Sequence, residues 1–70
     1  MNQILSPMPG KISKILVKAG DIVGYNTKVL IHEAMKMENS IIAGCDGIVK
    51  EININEGDSV DVSQLLITVV

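Results

Sequence analysis

The sequence predicts an all-β fold made of two copies of one strand-rich unit. Three observations carry that prediction. The chain aligns with itself when shifted by 37 residues: Gly10 falls on Gly47, Ile12 on Val49, Ile15 on Ile52 and Val17 on Ile54. Gly20-Asp21 then falls on Gly57-Asp58, Val23 on Val60, and Val29-Leu30 on Leu66-Ile67. Glycine, aspartate and apolar positions matching in one register indicate an internal duplication. Residues 11–18 and 48–55 are rich in β-branched side chains and bounded by glycine, as strands are. No apolar period of 3.6 residues survives the glycines, so helices are not expected. Two copies of one unit are expected to pack about a pseudo-twofold axis.

The elements follow in order. Pro7 and Pro9 remove two backbone donors around Met8, so the chain starts with an edge or an irregular segment. Residues 11–18 form the first long strand. Its apolar positions are 12, 15 and 17, and those of its copy are 49, 52 and 54. A flat strand would keep a step of two throughout. The step of three predicts a bulge or bend at Ser13-Lys14 and again at Lys50-Glu51. Gly20-Asp21 and Gly57-Asp58 are turns, because glycine tolerates positive φ and Asp bonds nearby backbone. Shorter strands are expected over 28–35, 37–43 and 64–69.

Seventy residues hold one small domain, taken as 1–70. Cys45 is the sole cysteine, which excludes an internal disulfide. One Cys and one His (His32) cannot build a zinc cluster, and no metal site is expected. Stability must come from aliphatic packing: 47% of residues are hydrophobic and Tyr25 is the only aromatic. Such a core suits a small barrel. The net charge of −2, from six basic and eight acidic residues, leaves no basic patch for nucleic acid. Stacking aromatics for single strands are missing too. The N-terminus lacks the basic and apolar regions of a secretory signal. The apolar runs are too short to span a bilayer. A soluble, cytoplasmic chain is expected. No nucleophile, base or acid set is visible, so no catalytic residue is expected.

Between the two copies lies Ala34-Met35-Lys36-Met37. Strands before and after it make this junction a hairpin, and a hairpin at a junction projects its tip from the body. Tight two-residue loops prefer Asn-Gly or Gly-Gly, yet here the tip is Met-Lys or Lys-Met. An unusual turn is expected where function outweighs local propensity. Met35 and Met37 would sit on the same side of a strand. Methionine fills irregular cores in most settings, but a hairpin tip leaves little core to fill. Two methionines around a protruding lysine therefore suggest a recognition tag on a modified amine.

The segment Glu33-Ala34-Met35-Lys36-Met37-Glu38 resembles the attachment site of biotinyl domains, carriers of biotin-dependent carboxylases and related enzymes. The resemblance runs from about Ser6 to Val69. It includes Ser6-Pro7-Met8-Pro9-Gly10, both Gly-Asp turns, and the Ala43 to Gly47 stretch. It implies a flattened eight-stranded barrel (a barrel-sandwich hybrid) of two pseudo-twofold-related four-stranded halves, with the lysine at an exposed hairpin tip. It implies biotin bound covalently to Lys36 by a biotin protein ligase that reads Glu33, Ala34, Met35 and Met37. It implies partners as well: biotin carboxylase and carboxyltransferase domains or subunits, between which the carrier moves carboxyl groups. An isolated domain is expected to be monomeric. The span from Gly20 to Val29 is too short for the extra "thumb" of some acetyl-CoA carboxylase carriers. No Pro/Ala-rich tether is present, which suggests an excised domain or a stand-alone carrier.

Lipoyl domains share this fold but carry Asp before the lysine and Ala after it. The second reading is therefore a lipoyl carrier, or a dual biotin/lipoyl carrier, on the same fold, although the methionines argue against pure lipoylation. An unmodified structural or interaction barrel is the third reading. Glu33 and Glu38 could steer a basic partner, although Glu38 also reads as a plain solvated carboxylate. His32 reads as an ordinary strand residue and Cys45 as a small, half-buried loop residue. Lys11, Lys14, Lys18, Lys28 and Lys50 read as solvated strand faces.

Overall fold

The computed structural model describes residues 1–70 and contains strands without helices. The strands are β1 (Asn2–Leu5), β2 (Gly10–Ile15), β3 (Ile22–Val23), β4 (Lys28–Ala34), β5 (Met37–Ile42), β6 (Gly47–Ile52), β7 (Ser59–Val60) and β8 (Leu65–Val69). They form two four-stranded sheets, ordered β1-β8-β6-β3 and β5-β4-β2-β7. All pairs are antiparallel. The sheets are the halves of a flattened barrel with extents of 30 × 18 × 17 Å.

The repeat seen in the sequence is an architectural symmetry. A shift of 37 residues carries β2 onto β6, β3 onto β7, β4 onto β8, and β1 onto the second part of β5. One sheet order thus maps onto the other strand by strand. Registers map as well: Gly10 opposes Val60, and Gly47 opposes Val23. The bulges lie between Ile12 and Lys14 and between Val49 and Glu51, at the expected places. Each bulge resets the pleat, so apolar side chains three residues apart can both turn inward. Ile12 is fully buried and Ile15 packs against the same core.

The Gly-Asp turns act as clasps between the halves. Gly57 donates its N–H to the Ile12 carbonyl at 2.7 Å, and Gly20 donates to the Val49 carbonyl at 2.8 Å. Both glycines have positive φ, +96° at Gly20 and +95° at Gly57. The aspartates close the turns: Asp21 Oδ2 accepts from the Lys18 N–H, and Asp58 Oδ2 from the Asn55 N–H, each at 2.9 Å.

Gly10 and Gly47 serve a different need. A Cβ on Gly10 would lie 2.4 Å from His32 Nε2 and 2.5 Å from the Glu33 carbonyl oxygen. One on Gly47 would lie 2.4 Å from the Val70 carbonyl oxygen. Two strands therefore pass closer than any side chain permits. A single cluster of buried aliphatics, including Ile12, Leu30, Val49, Leu66 and Ile67, fills the space between the sheets.

Two differences from the sequence reading stand out. Residues 11–18 and 48–55 are expected as strands, but β2 ends at Ile15 and β6 at Ile52. Leu16 keeps a single backbone bond, to Val29 at 2.9 Å, as the chain swings toward the Gly-Asp turn. The two-residue strands β3 and β7 are absent from the sequence reading because they are too short to show a period, whereas β1 forms the sheet edge expected before the prolines.

The outer faces of the halves are unlike. Ile22 opposes Ile48, which exchanges both backbone bonds with Val70. All three side chains are exposed. Their counterparts beneath the hairpin tip are Ser59, Lys11 and Glu33, which are also exposed but polar.

Candidate functional site

The β4–β5 hairpin closes with Ala34 opposite Met37, leaving Met35 and Lys36 as the two turn residues. Both have positive φ, 54° at Met35 and 64° at Lys36. That is the backbone of a type I′ turn, whose twist matches the flanking strands. Neither residue is of the kind that adopts this region without strain. The chain therefore holds an unfavourable conformation at the point that projects the lysine.

The side chains separate by burial. Met35 is 84% exposed and Met37 65%, so neither fills core. Met35 lies in the turn, so strand alternation does not pair it with Met37, contrary to the sequence reading. Lys36 and Glu33 are exposed as well. Ala34 points inward and is only 7% exposed. The one ion pair in the protein joins Lys18 to Asp21, so the Lys36 amine has no carboxylate partner. Glu38 sits opposite Glu33, and its Oε2 accepts the Ser13 hydroxyl at 2.8 Å. Glu38 is thereby tied down, whereas Glu33 is free of side-chain bonds.

Beside the lysine is an open cleft of about 410 Å³, bordered by Pro9, Gly10, Lys11, Glu33, Lys36 and Ser59. The sequence reading did not place the Pro9 segment here. Residues 6–9 form a strap between β1 and β2. The Met8 carbonyl accepts two side-chain donors, Ser6 Oγ at 2.7 Å and His32 Nε2 at 3.1 Å. His32 is fully buried on β4. The available signal was the repeat itself, because His32 falls where the other copy has Val69. No three His, Cys, Asp or Glu side chains lie together in a way that could hold a metal ion. Cys45 is half-buried in the β5–β6 loop.

An exposed, unpaired primary amine on a braced hairpin fits a group attached covalently through that amine. Comparison with known proteins agrees. Residues 2–69 match the family described as "Biotin-requiring enzyme". The chain belongs to this biotin-requiring family. As a biotinyl domain it is 47% identical over 68 residues to the biotin carboxyl carrier protein of Streptococcus mutans, covering 97% of this chain and 52% of that protein. It is 50% identical over 64 residues to the biotin carboxyl carrier protein of acetyl-CoA carboxylase from Porphyra purpurea, covering 91% of this chain and 40% of that one. The biotinyl domain thus spans about half the length of these relatives, or less. The crystal structure of Kluyveromyces lactis urea carboxylase superposes with a TM-score of 0.92 at 32% identity, over 99% of this chain and 6% of that one.

Proposed function

We propose that Lys36 carries covalent biotin and that this domain moves carboxyl groups between a biotin carboxylase and a carboxyltransferase. The observation that carries the proposal is the unpaired Lys36 amine on a strained two-residue tip between exposed methionines. The two relatives named as biotin carboxyl carrier proteins favour biotin over lipoate.

Lys36 is the nucleophile: its neutral Nζ attacks the activated carboxyl carbon of biotin, the bond from that carbon to its activating group breaks with the electron pair leaving on that group, and Nζ gives up a proton to leave an amide. The resulting amide does not titrate as an amine does, so the arm is neutral. Met35 and Met37 offer a ligase polarisable surface that reads shape. Glu33, with no side-chain partner, offers a charge. Ala34, nearly buried at the wall of the cleft, offers a ligase little surface and serves by keeping that position small. Once bound, biotin supplies a nitrogen that takes up and releases a carboxyl group. The domain itself performs no chemistry on substrate. Its contribution is effective concentration, because a tethered group visits two active sites without dissociating.

The test is intact mass after co-expression with a biotin ligase, with a lipoate ligase in parallel, and Lys36→Arg as control. A single biotin adduct lost in the control is expected. A lipoyl adduct alone, or an adduct that persists in Lys36→Arg, would overturn the proposal.

A further inference from the structure

The geometry points to His32 as a positioning residue for modification of Lys36, acting through the strap at residues 6–9; this rests on Lys36 being the attachment residue. A carbonyl oxygen only accepts, so His32 Nε2 carries the proton in its 3.1 Å bond to Met8. The other ring nitrogen, Nδ1, is buried with no partner. The ring is thus committed to a single polar contact, and that contact is the strap. The same ring also sets the height of Gly10, whose backbone rests on it so closely that a Cβ would lie 2.4 Å from Nε2. Met8 and Gly10 flank Pro9, and Pro9 and Gly10 border the cleft beside Lys36. One buried ring therefore fixes both neighbours of the residue facing that cleft.

The other half of the barrel is an internal control. There Gly47 rests against Val69, with a would-be Cβ 2.8 Å from Cγ1, so close packing alone needs only valine. Cys45, the counterpart of Met8, receives no side-chain donor. Valine meets the packing need at the equivalent position, and the polar link occurs only beside the lysine tip. The strap carries Met8, 36% exposed, next to the surface a ligase must cover. His32 touches neither the amine nor the ligase. It should therefore affect docking rather than the acyl transfer itself.

The experiment measures steady-state biotinylation of the whole chain by a biotin ligase, with thermal unfolding of each variant. His32→Val adopts the residue of the equivalent site and is expected to fold with an unchanged or higher Tm. Its KM as ligase substrate should rise about two- to twelvefold, the factor carried by one net hydrogen bond, with kcat unchanged. His32→Gln places an N–H donor where Nε2 was and should restore most of the KM. A wild-type KM in His32→Val, or a Gln variant no better than Val, would overturn the proposal. If His32→Val fails to fold, His32→Met, which keeps bulk but has no N–H to donate to the Met8 carbonyl, takes its place, and a wild-type KM there overturns the proposal equally. Label persisting in Lys36→Arg would instead refute the attachment residue, so the two failures are distinct.

Discussion

The strain at the hairpin tip makes a quantitative prediction. An L-residue in the left-handed region costs about 1–2 kcal/mol. Met35 and Lys36 both occupy it, with φ of 54° and 64°. Asparagine tolerates that region far better, so Met35→Asn should stabilise the unmodified domain by about 0.5–1 kcal/mol. Little packing is lost, because Met35 is 84% exposed. The full Asn-Gly pair, Met35→Asn with Lys36→Gly, is the preferred type I′ sequence. It should add about 1–2 kcal/mol in all, after the glycine's own entropy is deducted from the two relieved residues. For a domain of this size each 1 kcal/mol moves Tm by about 4–8 °C. Calorimetric unfolding of the wild type and both variants measures it. On the proposed reading of Met35 by a ligase, Met35→Asn should also be a poorer ligase substrate. An unchanged or lower Tm in both variants would refute the reasoning, showing that the hairpin holds Met35 by contacts worth more than the strain.

Other consequences follow from the close approaches, the turns and the core. Gly10→Ala and Gly47→Ala should each destabilise by at least about 1–3 kcal/mol, because backbone or a buried ring stands 2.4–2.5 Å from the new methyl. Gly20→Ala meets nothing within 4 Å and should lose only its conformational share, about 1 kcal/mol; urea midpoints rank the three. Ile12→Ala should cost about 2–5 kcal/mol, a large part of what a 70-residue domain has, and the same titration reads it. The Lys18 N–H bonded to Asp21, helped by the Lys18 ammonium, holds the Asp21 carboxyl below its ordinary value. A carboxyl lowered in the folded state adds stability above its unfolded pKa, and that stability is lost as pH falls through the folded one. Wild type should therefore lose a small increment below about pH 4, and Asp21→Asn should lack it when midpoints are compared between acid and neutral pH.

Much of this fold could be read from the sequence because its information is duplicated. One copy of the 12, 15, 17 spacing is ambiguous; two copies 37 residues apart locate both bulges. The place of Lys36 at the hairpin turn was legible for a related reason: the junction between copies must be a connection, and its residues contradict turn chemistry. What could not be read depends on long-range approach. β3 and β7 exist only because Ile22 and Ser59 meet strands far away in the chain. Ala34 and Met35 are neighbours of one tag in sequence, yet the turn sends one inward and the other into solvent. The meeting of Met8 with His32 spans 24 residues, and no local pattern encodes it.

The pseudo-twofold axis also separates what the fold requires from what the site requires. Features present in both halves, such as the Gly-Asp clasps, the bulges and the close glycines, are needed to build a barrel at all. Features present in one half answer to something else. The left-handed Met-Lys turn, the His32 link to Met8, and the polar row of Ser59, Lys11 and Glu33 all belong to the half that bears Lys36. The symmetry carries the tip onto the place where Met1 and Val70 lie, and there the corresponding row is Ile22, Ile48 and Val70. A duplicated scaffold has one function-bearing end, and each departure from symmetry around it is a candidate for what a partner reads. By that argument Glu33, unpaired and without an acidic counterpart in the other half, outranks Glu38, whose carboxylate is already held by Ser13. Substituting Gln at each position should slow ligase docking more at 33 than at 38.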